Sequence, residues 1–522
     1  MACAVLLFSA CTGGGSSSKP DSSDSSSGTV IENGYDVYTV GDSNGKFLQG
    51  FGAQFDSHYF TSQTSDMTET EIAELFSRCK KMNLQNIRTQ IFPEWYERAN
   101  DNDDYNFFDY DSPNVDFNSA EMQALYRVLD FCEENGVVVD LSFYGCQSTF
   151  MSKDGKVSGS WLGNKYVNHW ITAPRLKNDD GSEFLGYEEF AESVYAALNY
   201  LKKVKNYTCI KEFSIFPEPN LSFVDENGVS TEDGGGWSYV APGFIELCKI
   251  VDAKLKKENA RDLAMFVGPA DASTTLKNYR RYTVDLKGVV DKYTGSTYRF
   301  YNDTDNKTIS DYAEAVAGYA KEAGCDYGLS EFGTKSDTMT DQEAQAAIDS
   351  FERATWIGRY AINFVNAGLT DMKLWILADV HYGSSMMSMG LWKFRDNDWE
   401  ARPQYYTWSL IMKYTEIGAE IYPVKSEDPA VCMTSFCMPD AKWSYLMVND
   451  SDSVKKVAIV NHSSYAPSEM DYYEVSREVL DQINKKRVEP LGSADYLMAK
   501  KNVIYVDIKP HSFVLLSDSA GY

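Results

Sequence analysis

Two glutamates stand where a pair of acids could do chemistry. Glu218 lies in the string Phe213-Ser-Ile-Phe-Pro-Glu-Pro-Asn220, and Glu331 lies in Tyr327-Gly-Leu-Ser-Glu-Phe-Gly-Thr334. Each follows a short apolar run that reads as a β-strand. Each acid would therefore stand at a strand end, where burial raises a carboxyl pKa or holds a nucleophile in place. Hydrolysis of a glycosidic bond needs such a pair. One acid protonates the leaving oxygen, and a second carboxylate, about 5–5.5 Å away in retaining enzymes, attacks the anomeric carbon. Either glutamate alone reads more readily as a solvated strand-end carboxylate, so the pair takes its meaning from the elements that carry it.

Those elements alternate. Strand-like runs at Phe51–Phe55, Asn86–Ile91, Val137–Phe143, Glu212–Phe216, Met265–Gly268, Val289–Tyr298, Tyr327–Glu331 and Met372–Leu377 make eight. Between most of them lie helical runs, at Glu69–Met82, Ala120–Glu134, Tyr187–Val204, Gly243–Lys257, Asp311–Ala323 and a long one at Asp341–Asn366. Ile72, Leu75, Phe76 and Cys79 recur at three- and four-residue spacing, as in the outer helices of a barrel. The order predicts an α/β fold, a (β/α)8 TIM barrel over 34–415, whose chemistry sits at the C-terminal ends of the strands. Glu218 and Glu331 then fall at the ends of the fourth and seventh strands. After Gln404–Thr415 the pattern turns to short alternating runs, such as Trp443–Val448 and Val503–Ile508, which predict a C-terminal antiparallel β-sandwich over 416–522. The stretch Tyr35–Val40 precedes the first barrel strand and is a candidate for that sandwich, which would then draw on both ends of the chain.

From Gly50 to about Tyr414 the chain resembles the retaining glycoside hydrolases of clan A. The sandwich that follows is similar to the one attached to the xylanase, xylosidase and galactanase branches of that clan. The resemblance rests on Gly50-Phe-Gly-Ala on the first strand, Arg88 on the second, Glu-Pro-Asn at Glu218 to Asn220, Ser-Glu-Phe-Gly at Ser330 to Gly333, and Trp375 on the eighth. It implies a glycosidase working by double displacement on a polysaccharide or oligosaccharide, with Glu218 as general acid/base and Glu331 as nucleophile. It also implies that Tyr298 touches the nucleophile, that Arg88 supports it electrostatically, and that Trp375 forms the floor of the first sugar site. No cofactor and no metal are implied. The chain departs from the clan at two places. Pro217 stands where an Asn before the acid binds the sugar 2-hydroxyl, and Ser296 stands where a His precedes the sixth-strand Tyr. Asn220 and Arg299 are the candidates to fill the first gap, though no spacing in the sequence assigns either to it. The departures leave a second reading open: a cell-surface glycan-binding protein that keeps the barrel and has lost catalysis.

Aromatics make up 14% of the chain, a surplus that suits sugars, because Tyr and Trp offer an apolar face and a polar rim. Trp95, Tyr96, Phe143 and Tyr144 follow strand ends, and Trp161, Trp170 and Trp237 lie in long strand-to-helix stretches. Asp56 and His58 after the first strand, and Asp379 and His381 after the eighth, would face the same end. A loop-capping role suits each of these four equally well.

Net charge and cysteine placement bound the partners. With 49 basic and 76 acidic residues the 522-residue chain carries a net charge of −27, a field that repels nucleic acid. Residues 1–11 form a short apolar run ending in Phe8-Ser9-Ala10-Cys11, which resembles a bacterial lipobox, and 12–33 is a Gly/Ser-rich tether. Lipidation at Cys11 would anchor the protein to a membrane on the extracytoplasmic side. Cys79, Cys132 and Cys248 fall on the apolar faces of predicted helices, Cys432 and Cys437 are candidates to pair, and the five histidines are scattered.

Overall fold

Local sequence sets the helix boundaries. In α1 (Glu69–Lys81), Thr68 and Glu71 form a reciprocal capping box at the start, Ile72, Leu75 and Cys79 are buried along one face, and Arg78, Lys80 and Lys81 occupy the last turn. Ser119 caps α2 (Ala120–Asn135), which ends at Gly136 in the left-handed conformation. The computed structural model describes residues 31–522 except 61–66, 99, 103, 145–175, 178–182, 185, 220–243, 273–275, 299–303, 335–340, 383–384, 485 and 487. Cys11 and the tether to residue 30, Asn220, Arg299, Trp161, Trp170 and Trp237 lie outside the described residues.

Eight parallel strands close into a barrel: β2 (Gly50–Gln54), β3 (Asn86–Ile91), β4 (Val138–Phe143), β5 (Ile210–Ile215), β6 (Met265–Asp271), β7 (Lys292–Thr297), β8 (Asp326–Phe332) and β9 (Leu369–Leu374). They follow one another in chain order, and β9 pairs back onto β2. A Cβ on Gly52 would fall 1.7 Å from the Asn86 carbonyl oxygen, so the contact between β2 and β3 admits only glycine there. The outer layer holds α1, α2, α3 (Gly186–Asn199), α4 (Phe244–Lys257), α5 (Lys277–Asp285), α6 (Asn306–Ala323), α7 (Asp341–Asp349), α8 (Glu352–Asn366) and α9 (Pro403–Lys413). The long helix expected over 341–366 is two helices. The Ser350 hydroxyl bonds back to the Ala347 carbonyl at 2.9 Å, and the chain restarts at Glu352.

The smaller unit is a two-layer sandwich. Strands β10 (Glu420–Val424), β11 (Val431–Cys437), β12 (Trp443–Asn449), β14 (Glu469–Val475), β15 (Asp495–Met498) and β17 (Ser512–Ser517) form an antiparallel sheet in the order β10-β11-β12-β17-β14-β15. A second sheet joins β1 (Asp36–Thr39), β13 (Lys455–Val460) and β16 (Val503–Ile508), with β1 parallel to β13. Val431, Met433, Met447 and Val514 of one sheet meet Val457, Ile459, Ile504 and Val506 of the other. The outer face of the larger sheet packs on α8, where a Cβ on Gly358 would come 2.7 Å from Phe513. Cys432 and Cys437 are free thiols, five residues apart on β11. The pleat sends them to opposite faces, Cys432 into the barrel-side core and Cys437 beside the sandwich core, so they do not pair. Among the described residues no helix is long and apolar enough to cross a membrane.

Candidate active site

All eight barrel strands point the same way, so the residues at their C-terminal ends gather at one mouth. Arg88 is fully buried in the middle of β3 and holds four neighbours in fixed directions, one of them the Ser330 carbonyl at 3.3 Å. Its Nε donates to Gln54 Oε1 of β2 at 2.7 Å. Its Nη2 donates to Glu331 Oε2 of β8 at 2.5 Å and to the Tyr144 hydroxyl just past β4 at 2.6 Å. Tyr298, one residue beyond β7, donates its hydroxyl to the other oxygen of Glu331. Glu331 thus has one fixed donor on each carboxylate oxygen, one of them on a cation.

The backbone aims Glu331. Between Leu329 and Glu331 the pairing of β7 with β8 slips by one residue, so that Leu329 faces Gly295 while Glu331 faces Ser296. The extra residue, Ser330, is tied by its hydroxyl to the Gly295 carbonyl at 3.2 Å. Such a bulge re-aims the side chain that follows it. Glu218 is positioned differently, on a turn in which both Phe216 (φ +44°) and Glu218 (φ +54°) are left-handed. A non-glycine residue in that region costs on the order of 1–2 kcal/mol. Backbone hydrogen bonds hold the turn, from Phe216 to the Phe143 carbonyl and from Glu218 to the Ala270 carbonyl, each 2.9 Å. Glu218 is half-buried and Glu331 buried.

Burial, with the nearby carboxylates adding to it, keeps the phenols of the mouth neutral. Burial pushes the Tyr298 hydroxyl well above its ordinary pKa, and the Glu331 and Glu218 carboxylates push it further. Burial also raises Tyr144, where Arg88 opposes while Glu331, Asp56 and Glu218 add. Both tyrosines therefore sit within the field of both glutamates, and both remain donors. Burial alone would lower the pKa of Arg88, but Tyr144, Glu331 and Asp140 outweigh it and raise it.

The other expected residues fall at or below the mouth. Trp375 follows β9 and is buried, with the Arg88 guanidinium 5.9 Å from its ring and 5.8 Å from that of Tyr144. Asp56 is fully buried and accepts from Gln54 Nε2 at 2.5 Å and from the Gln90 backbone at 3.3 Å. The result is a polar chain, Asp56 to Gln54 to Arg88 to Glu331. Gln54 had no signal in the sequence, because a neutral amide inside a strand acquires this role only from the strand beside it. Asp379 is bound through both oxygens by Arg402, at 2.8 and 2.9 Å, as a loop anchor. His58 is buried beside Phe92 and Trp95, and burial lowers its pKa to about 4. Trp95, Tyr96 and Phe143 belong to the core. Pro217 is buried and brings no donor to the position before Glu218, and the buried Ser296 Oγ has no hydrogen-bond partner among the described residues.

No protein-family model and no curated protein matches the sequence. Among solved structures, the fold is similar to the catalytic domain of a glycoside hydrolase family 30 xylanase from Talaromyces cellulolyticus, at 12% identity and a TM-score of 0.59 over 92% of this chain and 99% of that one. It is equally similar to a family 51 α-L-arabinofuranosidase from Thermotoga petrophila, at 12% identity and a TM-score of 0.59 over 92% and 99% of the two chains. An endo-β1,6-glucanase matches at 11% identity with a TM-score of 0.55 over 94% and 95%. The chain thus has the barrel-plus-sandwich fold of these glycoside hydrolases.

Proposed function

We propose that the protein is a retaining O-glycoside hydrolase acting on a polysaccharide or oligosaccharide, with Glu331 as nucleophile and Glu218 as general acid/base. The observation that carries the reading is the environment of Glu331: a carboxylate at the barrel mouth with Arg88 on one oxygen and Tyr298 on the other. Two fixed donors hold an ionised carboxylate in one orientation without neutralising it, as attack on a sugar carbon requires. In the first step a Glu331 oxygen bonds to the anomeric carbon while the bond to the leaving oxygen breaks, and Glu218 gives that oxygen its proton. In the second, water attacks the anomeric carbon, Glu218 takes a proton from it, and Glu331 is released. Trp375 and Tyr144 would offer ring faces to the sugar. The xylanase, glucanase and arabinofuranosidase among the structural neighbours set the first substrates to try.

A second reading, a glycan-binding protein without turnover, is favoured by one feature. Pro217 offers the sugar 2-hydroxyl no hydrogen bond, and that bond belongs to a set that strengthens in the transition state by several kcal/mol. The test is hydrolysis of a panel of polysaccharides and aryl glycosides by the chain from residue 31, beside Glu331→Gln and Glu218→Ala. The glycosidase reading expects one substrate class to be cleaved, at least about 10³-fold less by either variant, with azide restoring turnover of an activated aryl glycoside by Glu218→Ala. Binding of one glycan by all three proteins with no cleavage supports the second reading instead. The proposal extends to the N-terminus, where Cys11 would carry lipid and hold the enzyme outside the cytoplasm; Cys11→Ala should then move the protein from the detergent phase to the aqueous phase.

A further inference from the structure

Four buried carboxylates outside the barrel mouth have no part in the mechanism above. Asp101 lies in the stretch that follows β3, and Glu189 and Glu192 lie on the first two turns of α3. One ligand oxygen from each of these three lies within 4.8 Å of the others. They are 8%, 3% and 1% exposed. Oxygens bound to one calcium ion at about 2.4 Å can be no more than about 4.8 Å apart, so the spacing fits a shared ion.

Acids gather on protein surfaces without any ion, so the spacing alone decides nothing. The second observation is Glu97, 1% exposed and in the field of Asp101 and Glu192. The carboxylate takes hydrogen bonds from the Ser193 side chain and, on Oε1, from the Asp101 backbone at 3.3 Å, while its buried Oε2 has no partner within hydrogen-bond distance among the described residues. Asp101 Oδ1 and Glu192 Oε1 are likewise buried without a donor, as is Oδ1 of the adjacent Asn100. A carboxylate oxygen can only accept, and leaving one buried and unpaired costs at least about 1–3 kcal/mol. Two of these unpaired carboxylates, Asp101 and Glu192, belong to the group of three, and one cation there would pair both.

Among the described residues no cation reaches the unpaired oxygens of Asp101 and Glu192 at hydrogen-bond distance. Lys254 of α4 approaches Glu192 Oε1 only to 4.0 Å. Its three protons are directed elsewhere, to Glu258 at 2.9 Å and to the backbone oxygens of Tyr105 and Asn106 at 3.3 and 3.0 Å. The donors are all oxygen, with neither histidine nor cysteine, which selects a hard cation. A set of carboxylates with little room for bound water suits calcium better than magnesium, which keeps several waters in a strict octahedron.

We propose that Asp101, Glu189 and Glu192, with Glu97 beside them, form a calcium site that ties the stretch after β3 to the start of α3. The stretch after β3 leaves the same end of the barrel as Arg88, so the ion would brace one wall of the mouth and take no part in bond breaking.

The experiment uses the chain from residue 31, purified in calcium and then treated with EDTA. Elemental analysis should find about one calcium per chain before treatment, and Asp101→Asn/Glu192→Gln should lose it. The wild-type melting temperature should fall by at least about 5 °C in EDTA and return in 1 mM CaCl2, but not in 1 mM MgCl2. If the double variant does not fold, the wild-type melts decide alone. No calcium above trace together with identical melts in EDTA and CaCl2 overturns the site, and an equal response to magnesium overturns its assignment to calcium.

Discussion

Two groups of buried acids on this chain are handled in opposite ways. Inside the barrel, Glu212 and Asp371 lie among two lysines whose protons are committed to them. Lys292 donates to Glu212 at 2.5 Å, to Asp371 at 2.9 Å and to Gln49 at 3.0 Å, and Lys373 donates to Asp371 and reaches Glu212 at 3.4 Å. Burial alone would raise the pKa of Asp371, but the two lysines outweigh it and hold it below the ordinary value. At the top of the same barrel, Arg88 donates to Glu331 as the lysines donate to the acids below. Beside the barrel, Glu97, Asp101 and Glu192 are as well buried and have no cation within hydrogen-bond reach among the described residues. Burial pushes Glu192 up to about 9, with Asp101 and Glu189 adding to the shift. The same side chain is therefore held charged in one place and forced towards neutrality in the other. The difference lies in whether a cation stands within hydrogen-bond distance: Asp140, inside the barrel but bonded by Ser214 and no cation among the described residues, is also pushed up by burial, to about 6.

The sharpest way to break the comparison is to remove a cation where it is thought essential. Arg88→Met leaves Glu331 with Tyr298 alone. The loss of one charged donor from a buried reacting group is expected to lower kcat/KM by about 10³-fold with the fold retained. Steady-state kinetics beside a thermal melt check it, and a variant within tenfold of wild type would mean that Glu331 needs no fixed counter-charge. Next in size is Lys373→Met, which leaves Glu212 and Asp371 sharing the Lys292 ammonium and takes Lys373 from the field of Asp140. Stability to urea should fall by about 3–5 kcal/mol, the usual cost of stranding a buried charge. A loss below about 1 kcal/mol would show that the barrel interior takes up water or protons as readily as the acids outside it.

How much of this could be read from the sequence depends on how far apart the partners lie. The strand Asn86–Ile91 and the helices starting at Glu69 and Ala120 were legible, because caps and periodicity are written within a few residues of each other. The strings around Glu218 and Glu331 were legible for the same reason. Helix α5 was missed, since Lys277–Asp285 is dominated by charge and shows its core only in Tyr279 and Tyr282. The barrel lysines were missed because their acidic partners lie 79 to 161 positions away, apart from the Lys373 to Asp371 bond. A lysine in a strand reads as a solvated residue until the barrel closes around it. Asp101 and Glu192 belong to different elements and came together only in the fold.

The smallest expected effect is also the most specific to the uncompensated acids. Glu192 titrates near 9 when folded and near its ordinary 4.5 when unfolded. Between those values the folded chain holds a proton that the unfolded chain has released, so this group makes the protein less stable as the pH rises from about 4.5 to 9. Glu192→Gln keeps the shape of the neutral form and has no proton to lose. In EDTA its melting temperature should match wild type near pH 5 and exceed it by at least about 3 °C at pH 8. Calcium should act in the opposite sense on wild type, because the ion takes ionised carboxylates, and its stabilisation should grow over the same interval. Melts from pH 5 to 8, with EDTA and with CaCl2, read both slopes from one pair of proteins. A gap between variant and wild type that stays flat with pH would show that Glu192 is already compensated, and the two groups of acids would then be alike.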